Sequence, residues 1–396
     1  MEDIFSYWPW LLLLLPVAYL LGWLKGISFK KAESSNSSNS LSSDYFKGLN
    51  YLLSDQQERA LPVFLHLVQV DNETIDTHLA LATIYRRSGN YDKAIEVHQN
   101  LIAKPSLSAK YRSKALLELG RDYLAAGLFD RAEGLFNDVI KNGFYEQQAR
   151  QYMLDIYQQE KEWSEAVKVT RSLIQNGDST LRSLIAQFYC EISDQYFKKG
   201  NIKQAEVAAK DALSYDSDCI RAIIVRVQNA VALRKFKDAI KFIKRIEQTD
   251  SRYFPVILPY CIESYRELGK LNELIDYLKS VESHHANLSL MQGIVNLLVE
   301  VKGEEAALIY IQKQLVLRPN INGLASFIEL MNKQDNFAEN SHFQKLQKAV
   351  EHIRQKNDLY QCNKCGYTSG TLNWQCPSCL VWGEIKPLIG DMNAKN

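Results

Sequence analysis

The strongest constraint on this chain is a three-residue mark that recurs from about Leu41 to Pro319. A small or apolar residue comes first, a tyrosine follows three positions on, and an alanine stands twelve after the first. Gly48, Tyr51 and Ala60 form the first set, then Ala82, Tyr85 and Ala94, then Gly120, Tyr123 and Ala132. Leu154, Tyr157 and Ala166 continue it, then Ser193, Tyr196 and Ala205. Val227, Ala230 and Ala239 keep the spacing without the tyrosine; Ile262, Tyr265 and Leu274 keep the tyrosine without the alanine; Ile294, Leu297 and Ala306 close the series. Several sets lie 34 or 35 residues apart. Each unit reads as two antiparallel helices joined by a tight turn such as Ser88-Gly89-Asn90 or Lys199-Gly200-Asn201. Where two helices cross closely, a small residue is needed on each side. One such pair cannot bury its own apolar face, so the units must stack, and the expected result is an all-α, right-handed superhelix.

The pattern resembles the tetratricopeptide repeat. An irregular helical bundle does not explain the recurring offset. The solenoid is expected over residues 44–319. The helical stretch from Ile321 to Asp358 lacks the full mark and reads as a cap over 320–358, leading into a last segment at 359–390.

That segment carries Cys362-Asn363-Lys364-Cys365-Gly366-Tyr367 and Cys376-Pro377-Ser378-Cys379. Two thiolates on one turn converge on one cation, and a second such pair completes a tetrahedron, the geometry that zinc or a single iron takes with sulfur. Gly366 suits a turn needing positive φ, and Pro377 stiffens the second turn. Cys362, Cys365, Cys376 and Cys379 are therefore the expected metal ligands. A pair of disulfides is disfavoured because the rest of the chain reads as cytosolic. Cys190, Cys219 and Cys261 are expected to be small buried hydrophobes. Trp374, Leu380, Val381, Trp382 and Ile385 are many large apolar groups for so short a piece, and some of them are expected to dock on a face of the solenoid.

At the other end, Tyr7 to Leu24 form an uncharged run with Trp8, Trp10 and Trp23 near its edges. As a helix it spans roughly 27 Å, about one hydrocarbon core. Met1-Glu2-Asp3 is no positive n-region, so an uncleaved anchor over 1–24 is expected rather than a secretory signal. Lys25, Lys30 and Lys31 place the body of the protein on the cytoplasmic side of the membrane. Residues 25–43, rich in serine and asparagine, read as a flexible polar linker.

The 396 residues carry a formal net charge of +1, so no global basic field attracts nucleic acid. Lys364 and Lys386 are the only cations between Tyr360 and Ile389, a thin patch for phosphate. No phosphate-loop, dinucleotide or zinc-protease motif appears. His66, His78, His98, His284, His285, His342 and His352 are scattered, and the adjacent pair His284-His285 reads as solvated loop. A four-thiolate site has no open coordination position, which suits structural or electron-transfer roles. The residues together describe a membrane-tethered scaffold that binds other proteins, and not an enzyme.

The order of parts (short anchor, repeat array, terminal double knuckle) resembles the lipopolysaccharide assembly protein B family. The resemblance runs through Leu119 to Glu133, Tyr360 to Gly366, Trp374 to Cys379 and Ile385 to Pro387. It implies an inner-membrane adaptor controlling lipopolysaccharide synthesis. Such an adaptor helps a membrane-bound ATP-dependent protease degrade the deacetylase that commits carbon to lipid A, and a lipopolysaccharide-sensing inner-membrane protein restrains it. It also implies a rubredoxin-like module holding iron at the four cysteines. Ten residues lie between the knuckles, fewer than in rubredoxins, and Leu380 stands where rubredoxins usually have glycine, so zinc is the alternative metal. An electron carrier and a general tetratricopeptide assembly adaptor at the membrane are the rival functions, and a homodimer is compatible with the sequence.

Overall fold

The computed structural model describes residues 43–70, 75–174, 179–284, 290–317, 319, 321–332, 341–355 and 359–388. The expected anchor and nearly all of the expected linker, with His285, lie outside these residues. Among the described residues no helix is long and apolar enough to cross a membrane. The chain divides into two compact units, residues 1–160 and 161–396.

The first unit holds α1 (residues 43–53), α2 (Gln57–Val70), α3 (Ile75–Arg87), α4 (Tyr91–Ile102), α5 (Ala109–Ala125), α6 (Phe129–Lys141) and α7 (Glu146–Glu160). The small first residue of each mark does what the pattern requires. A Cβ built on Gly120 would stand 2.5 Å from the ring of Phe136, and one on Gly48 would stand 2.7 Å from Phe64. The glycines let a phenylalanine of the next helix lie flush on the backbone. The tyrosine of the mark has a second role, at the turn. Tyr85 O accepts from Asn90 N–H at 2.8 Å and Tyr123 O from Leu128 N–H at 2.8 Å. These bonds close the first helix of the hairpin around a left-handed residue, Gly89 (φ 77°) or Gly127 (φ 74°). The same turn position is filled by Asp55 (φ 56°), and in the second unit by Lys161 (φ 59°) and Arg234 (φ 56°), side chains that adopt this conformation at a cost.

A buried polar cluster ties α3, α4 and α5 together. Arg86 donates to Asp122 Oδ1 at 2.7 Å and to Glu118 Oε2 at 2.9 Å, and His98 Nδ1 lies 2.5 Å from Asp122 Oδ2. Burial opposes ionisation of Glu118, but Arg121, Arg86 and Lys114 outweigh it and hold the carboxyl down at about 2. A charge this deep is retained only when paired on several sides.

The second unit continues the hairpins with α8 (Trp163–Leu173), α9 (Ser179–Lys198), α10 (Ile202–Tyr215), α11 (Ile220–Ala232) and α12 (Phe236–Asp250). A 3-10 turn (Ser251–Tyr253) leads to α13 (Phe254–Glu267), α14 (Leu271–His284), α15 (Met291–Lys302) and α16 (Glu304–Leu317). The helices α17 (Ile321–Asn332) and α18 (Ser341–Gln355) follow. Ser193 and Ala205, partners in one mark, meet directly: the Ser193 hydroxyl donates to Ala205 O at 2.7 Å. The closing set departs from the expected register. Ala306 is half-buried and Ala307 is the fully buried residue, because α15 runs further past Ile294, to Lys302, than α5 runs past Gly120, to Ala125, which outweighs the single-residue joint at Gly303 (φ 88°). Cys190, Cys219 and Cys261 are buried as expected, and burial pushes the Cys261 thiol up to about 12.

The segment after α18 holds all the β-strands among the described residues. Strands β1 (Tyr360–Cys362), β2 (Thr368–Ser369) and β3 (Ile385–Pro387) form an antiparallel sheet in the order β2-β1-β3, with Gln361 opposite Thr368 and Lys386.

Candidate metal centre

Each knuckle is built by its own backbone. Cys362 O accepts from Gly366 N–H at 2.9 Å and Cys376 O from Leu380 N–H at 2.9 Å. Cys362 N–H donates to Tyr367 O at 2.8 Å and Cys376 N–H to Val381 O at 2.9 Å. The turns close at Gly366 (φ 77°) and Leu380 (φ 58°). Leu380 therefore stands in the left-handed conformation that glycine adopts without steric cost.

The two knuckles face each other. The four sulfurs lie within 4.8 Å of one another, with Cys362 Sγ 3.7 Å from Cys379 Sγ and Cys365 Sγ 3.6 Å from Cys376 Sγ. Sulfurs about 2.3 Å from a central cation stand roughly 3.8 Å apart in a regular tetrahedron, so the donor set fits a four-thiolate metal. Cys362 and Cys376 are buried, Cys379 is half-buried and Cys365 is exposed. The Tyr367 N–H favours the Cys365 thiolate and holds that thiol down at about 6, despite some desolvation and with help from the neighbouring sulfurs. The Val381 N–H favours the Cys379 thiolate too, but desolvation and hydrogen bonds to the other three sulfurs push it up to about 12. This is the pattern of sulfurs competing for protons, and metal binding at such a set releases them. All four expected ligands are thus brought together, and their four thiolates would fill the tetrahedral shell of a metal.

The module does not stand apart from the helices of its unit. Trp382 meets Trp163 of α8 edge-on at 5.8 Å between ring centroids and Phe188 of α9 at 5.9 Å. Trp374 stacks on Tyr253 at 5.8 Å, with the rings 15° from parallel. Tyr253 Oη donates to Ile385 O at 3.1 Å across the joint. Arg221, 2 % exposed, has its guanidinium 5.5 Å from the ring centre of Trp374 and 5.8 Å from that of Trp382. Its Nη2 donates to Glu191 Oε1 and Asp194 Oδ2, both at 2.8 Å. An arginine plane is well suited to this position, since it stacks on aromatic faces while its edge pairs with carboxylates. Leu372 and Trp374 also pack against the main apolar core of the unit, a cluster that includes Ile257, Cys261 and Leu278.

The expectation of docking is met by Trp374 and Trp382. Ile385 lies in the module's own small core with Cys362 and Cys376, and Leu380 is 65 % exposed. The receiving residues Trp163, Phe188, Arg221 and Tyr253 were not singled out from the sequence. The one available signal was Arg221, one of two charges, with Arg226, in the otherwise apolar run Ile220 to Val227.

Comparison with known proteins agrees with this geometry. Residues 360–387 match the family described as a rubredoxin metal binding domain, and residues 77–108 match the tetratricopeptide repeat. The solved structure of Naa15/Naa10 bound to HypK-THB is similar at 12 % identity and a TM-score of 0.44, covering 80 % of this chain and 52 % of that one. Lipopolysaccharide assembly protein B of Escherichia coli (strain K12) is 34 % identical over 385 residues, covering 96 % of this chain and 98 % of that protein. Its namesake in Haemophilus influenzae is 31 % identical over 391 residues, covering 96 % of this chain and 98 % of that protein. With more than 30 % identity and near-complete coverage of both relatives, the chain belongs to the lipopolysaccharide assembly protein B family.

Proposed function

We propose that the protein is a membrane-tethered adaptor in lipopolysaccharide assembly that acts by holding other proteins and catalyses no reaction itself. Its client is the deacetylase that commits carbon to lipid A, and it presents that client to a membrane-bound ATP-dependent protease. A lipopolysaccharide-sensing inner-membrane protein restrains it. The apolar run from Tyr7 to Leu24 is the single-pass anchor, with the bulk of the chain on the cytoplasmic side of the inner membrane. Confinement to the membrane plane raises the effective concentration of the client beside the protease without new chemistry.

The observation that carries this reading is the seating of Trp374 and Trp382 on Trp163, Phe188, Arg221 and Tyr253. It makes the closed metal module part of a stack of hairpins, the architecture of a rigid binding platform. Cys362, Cys365, Cys376 and Cys379 would hold iron of the rubredoxin type, or zinc in the same tetrahedron. The metal there would fix the fold of a module too small to hold itself together, a contribution on the order of 10 kcal/mol.

The test is the half-life of the deacetylase in cells lacking the protein, complemented with the full chain or with a version lacking residues 1–24. The full chain restores rapid turnover and in-cell crosslinks join it to protease and client; the shortened version does neither. Normal turnover with the soluble form overturns the proximity mechanism. Elemental analysis of the purified protein distinguishes iron from zinc.

A further inference from the structure

Three consecutive helices of the second unit, α10, α11 and α12, enclose a groove of about 750 Å³. Its walls carry Lys210, Arg226, Lys235, Lys241, Lys244 and Arg245, against the carboxylates Glu206 and Asp238. This local excess of positive charge stands out in a chain whose net charge is only +1.

Not all of these cations are committed elsewhere. Arg226 donates twice to Glu206 Oε1, at 3.0 and 2.8 Å, and lies over the ring of Phe242 at 4.1 Å. Lys210 is 3.9 Å from the same oxygen, and Arg245 donates to Ser217 O. Lys235, Lys241 and Lys244 make no ion pair with a described residue and are exposed. Lys241 and Lys244 are one turn apart on α12, so both ammoniums reach the same side of the groove. Between the charges the lining is apolar, formed by Ala230, Leu233 and Phe242.

The combination selects among anions. The volume is that of a site for a ligand many atoms long, well beyond a lone phosphate. Single-stranded nucleic acid needs an open aromatic face for base stacking, and the face of Phe242 is covered by Arg226. A bilayer surface is flat, whereas these cations line a concavity. An extended peptide with carboxylates on alternate residues and an apolar side chain between them matches both the lysines and the floor.

We propose that this groove binds a short, extended acidic segment of a client protein, with its carboxylates on Lys235, Lys241 and Lys244 and one apolar side chain on the floor of Ala230, Leu233 and Phe242. The proposal deepens the adaptor reading and rests on it for the identity of the occupant, while binding itself is testable alone.

The experiment is fluorescence anisotropy of the purified full chain with a labelled octapeptide alternating glutamate and leucine, beside a lysine-for-glutamate version. The acidic peptide binds saturably and the basic one does not. Binding weakens as salt rises, as expected of exposed charges. Lys241→Glu with Lys244→Glu weakens it by on the order of tenfold. Both lysines are exposed, and an unchanged helical melting curve checks that the variant is folded. Equal binding of the two peptides, or an acidic peptide indifferent to the double substitution, overturns the proposal. So does selective loss, in the variant, of binding to an oligonucleotide or to anionic vesicles when the peptide never binds. Client half-life in cells separates the two claims. Turnover that needs the protein but not Lys241 and Lys244 removes the groove as the client site and leaves the adaptor reading standing. Peptide binding that the double variant loses, in a protein whose absence leaves the client's half-life unchanged, keeps the groove and removes that reading.

Discussion

Substitution of Trp382 by alanine tests whether the metal module and the repeats are one mechanical unit. Truncating a fully buried aromatic costs about 3–5 kcal/mol. Trp382 is half-buried, so roughly half of that applies, and its edge-on contacts with Trp163 and Phe188 add about 0.5–1.5 kcal/mol each. The variant also removes one of the two rings beside the Arg221 guanidinium. The sum is about 2.5–5.5 kcal/mol, so even its lower end is on the order of a hundredfold in the equilibrium between seated and lifted module. If the knuckles open only after the module lifts, a chelator strips metal from the variant about a hundredfold faster than from the unsubstituted chain. Tyr367→Ala is the control, because that ring lies on the exposed side of the module and its backbone bonds survive the change. Loss of metal at an unchanged rate in Trp382→Ala, or equal acceleration in both variants, refutes the idea that seating protects the site.

Three further outcomes are expected. Gly120→Ala drives a methyl group into Phe136 and destabilises the first unit by about 1–3 kcal/mol in denaturant unfolding, with part of the loss recovered by adding Phe136→Leu. Leu380→Gly relieves a left-handed leucine and raises the stability of the module by about 1 kcal/mol, read as slower metal extraction. Because the Glu118 carboxyl titrates at about 2 when folded against a usual 4.5, its stabilising effect is complete above 4.5 and is lost as pH falls towards 2. Glu118→Gln should therefore flatten the acid limb of the unfolding profile over that window while lowering stability at neutral pH.

The parts of this structure that were legible in the sequence are those written over short spans. Gly120 and Ala132 mark the close approach of neighbouring helices, and the residue types there are fixed by contact distance. Each cysteine pair sits on one turn, so its spacing alone encodes convergence on a cation. The pattern names Ala306 where Ala307 is buried, because it carries a fixed offset along the chain and cannot see that α15 runs on to Lys302 before the joint at Gly303. The seat of the module was only half legible. Trp374 and Trp382 advertise a need for burial, but Tyr253 and the Ile385 carbonyl it bonds are 132 residues apart, and nothing local names one as the partner of the other. The basic groove was hidden for a related reason: its cations come from three helices and are balanced in the total by acids elsewhere.

The left-handed arginine at the turn between α11 and α12 bears on how the groove beside it behaves. Leu233 and Lys235, both lining the groove, flank Arg234, whose backbone holds a conformation that disfavours any side chain by about 1–2 kcal/mol. In an array where each hairpin leans only on its neighbours, a strained turn is a place where opening starts. The turn at Arg234 is one of these, and it borders the groove. A groove that yields at its rim can take segments of differing bulk.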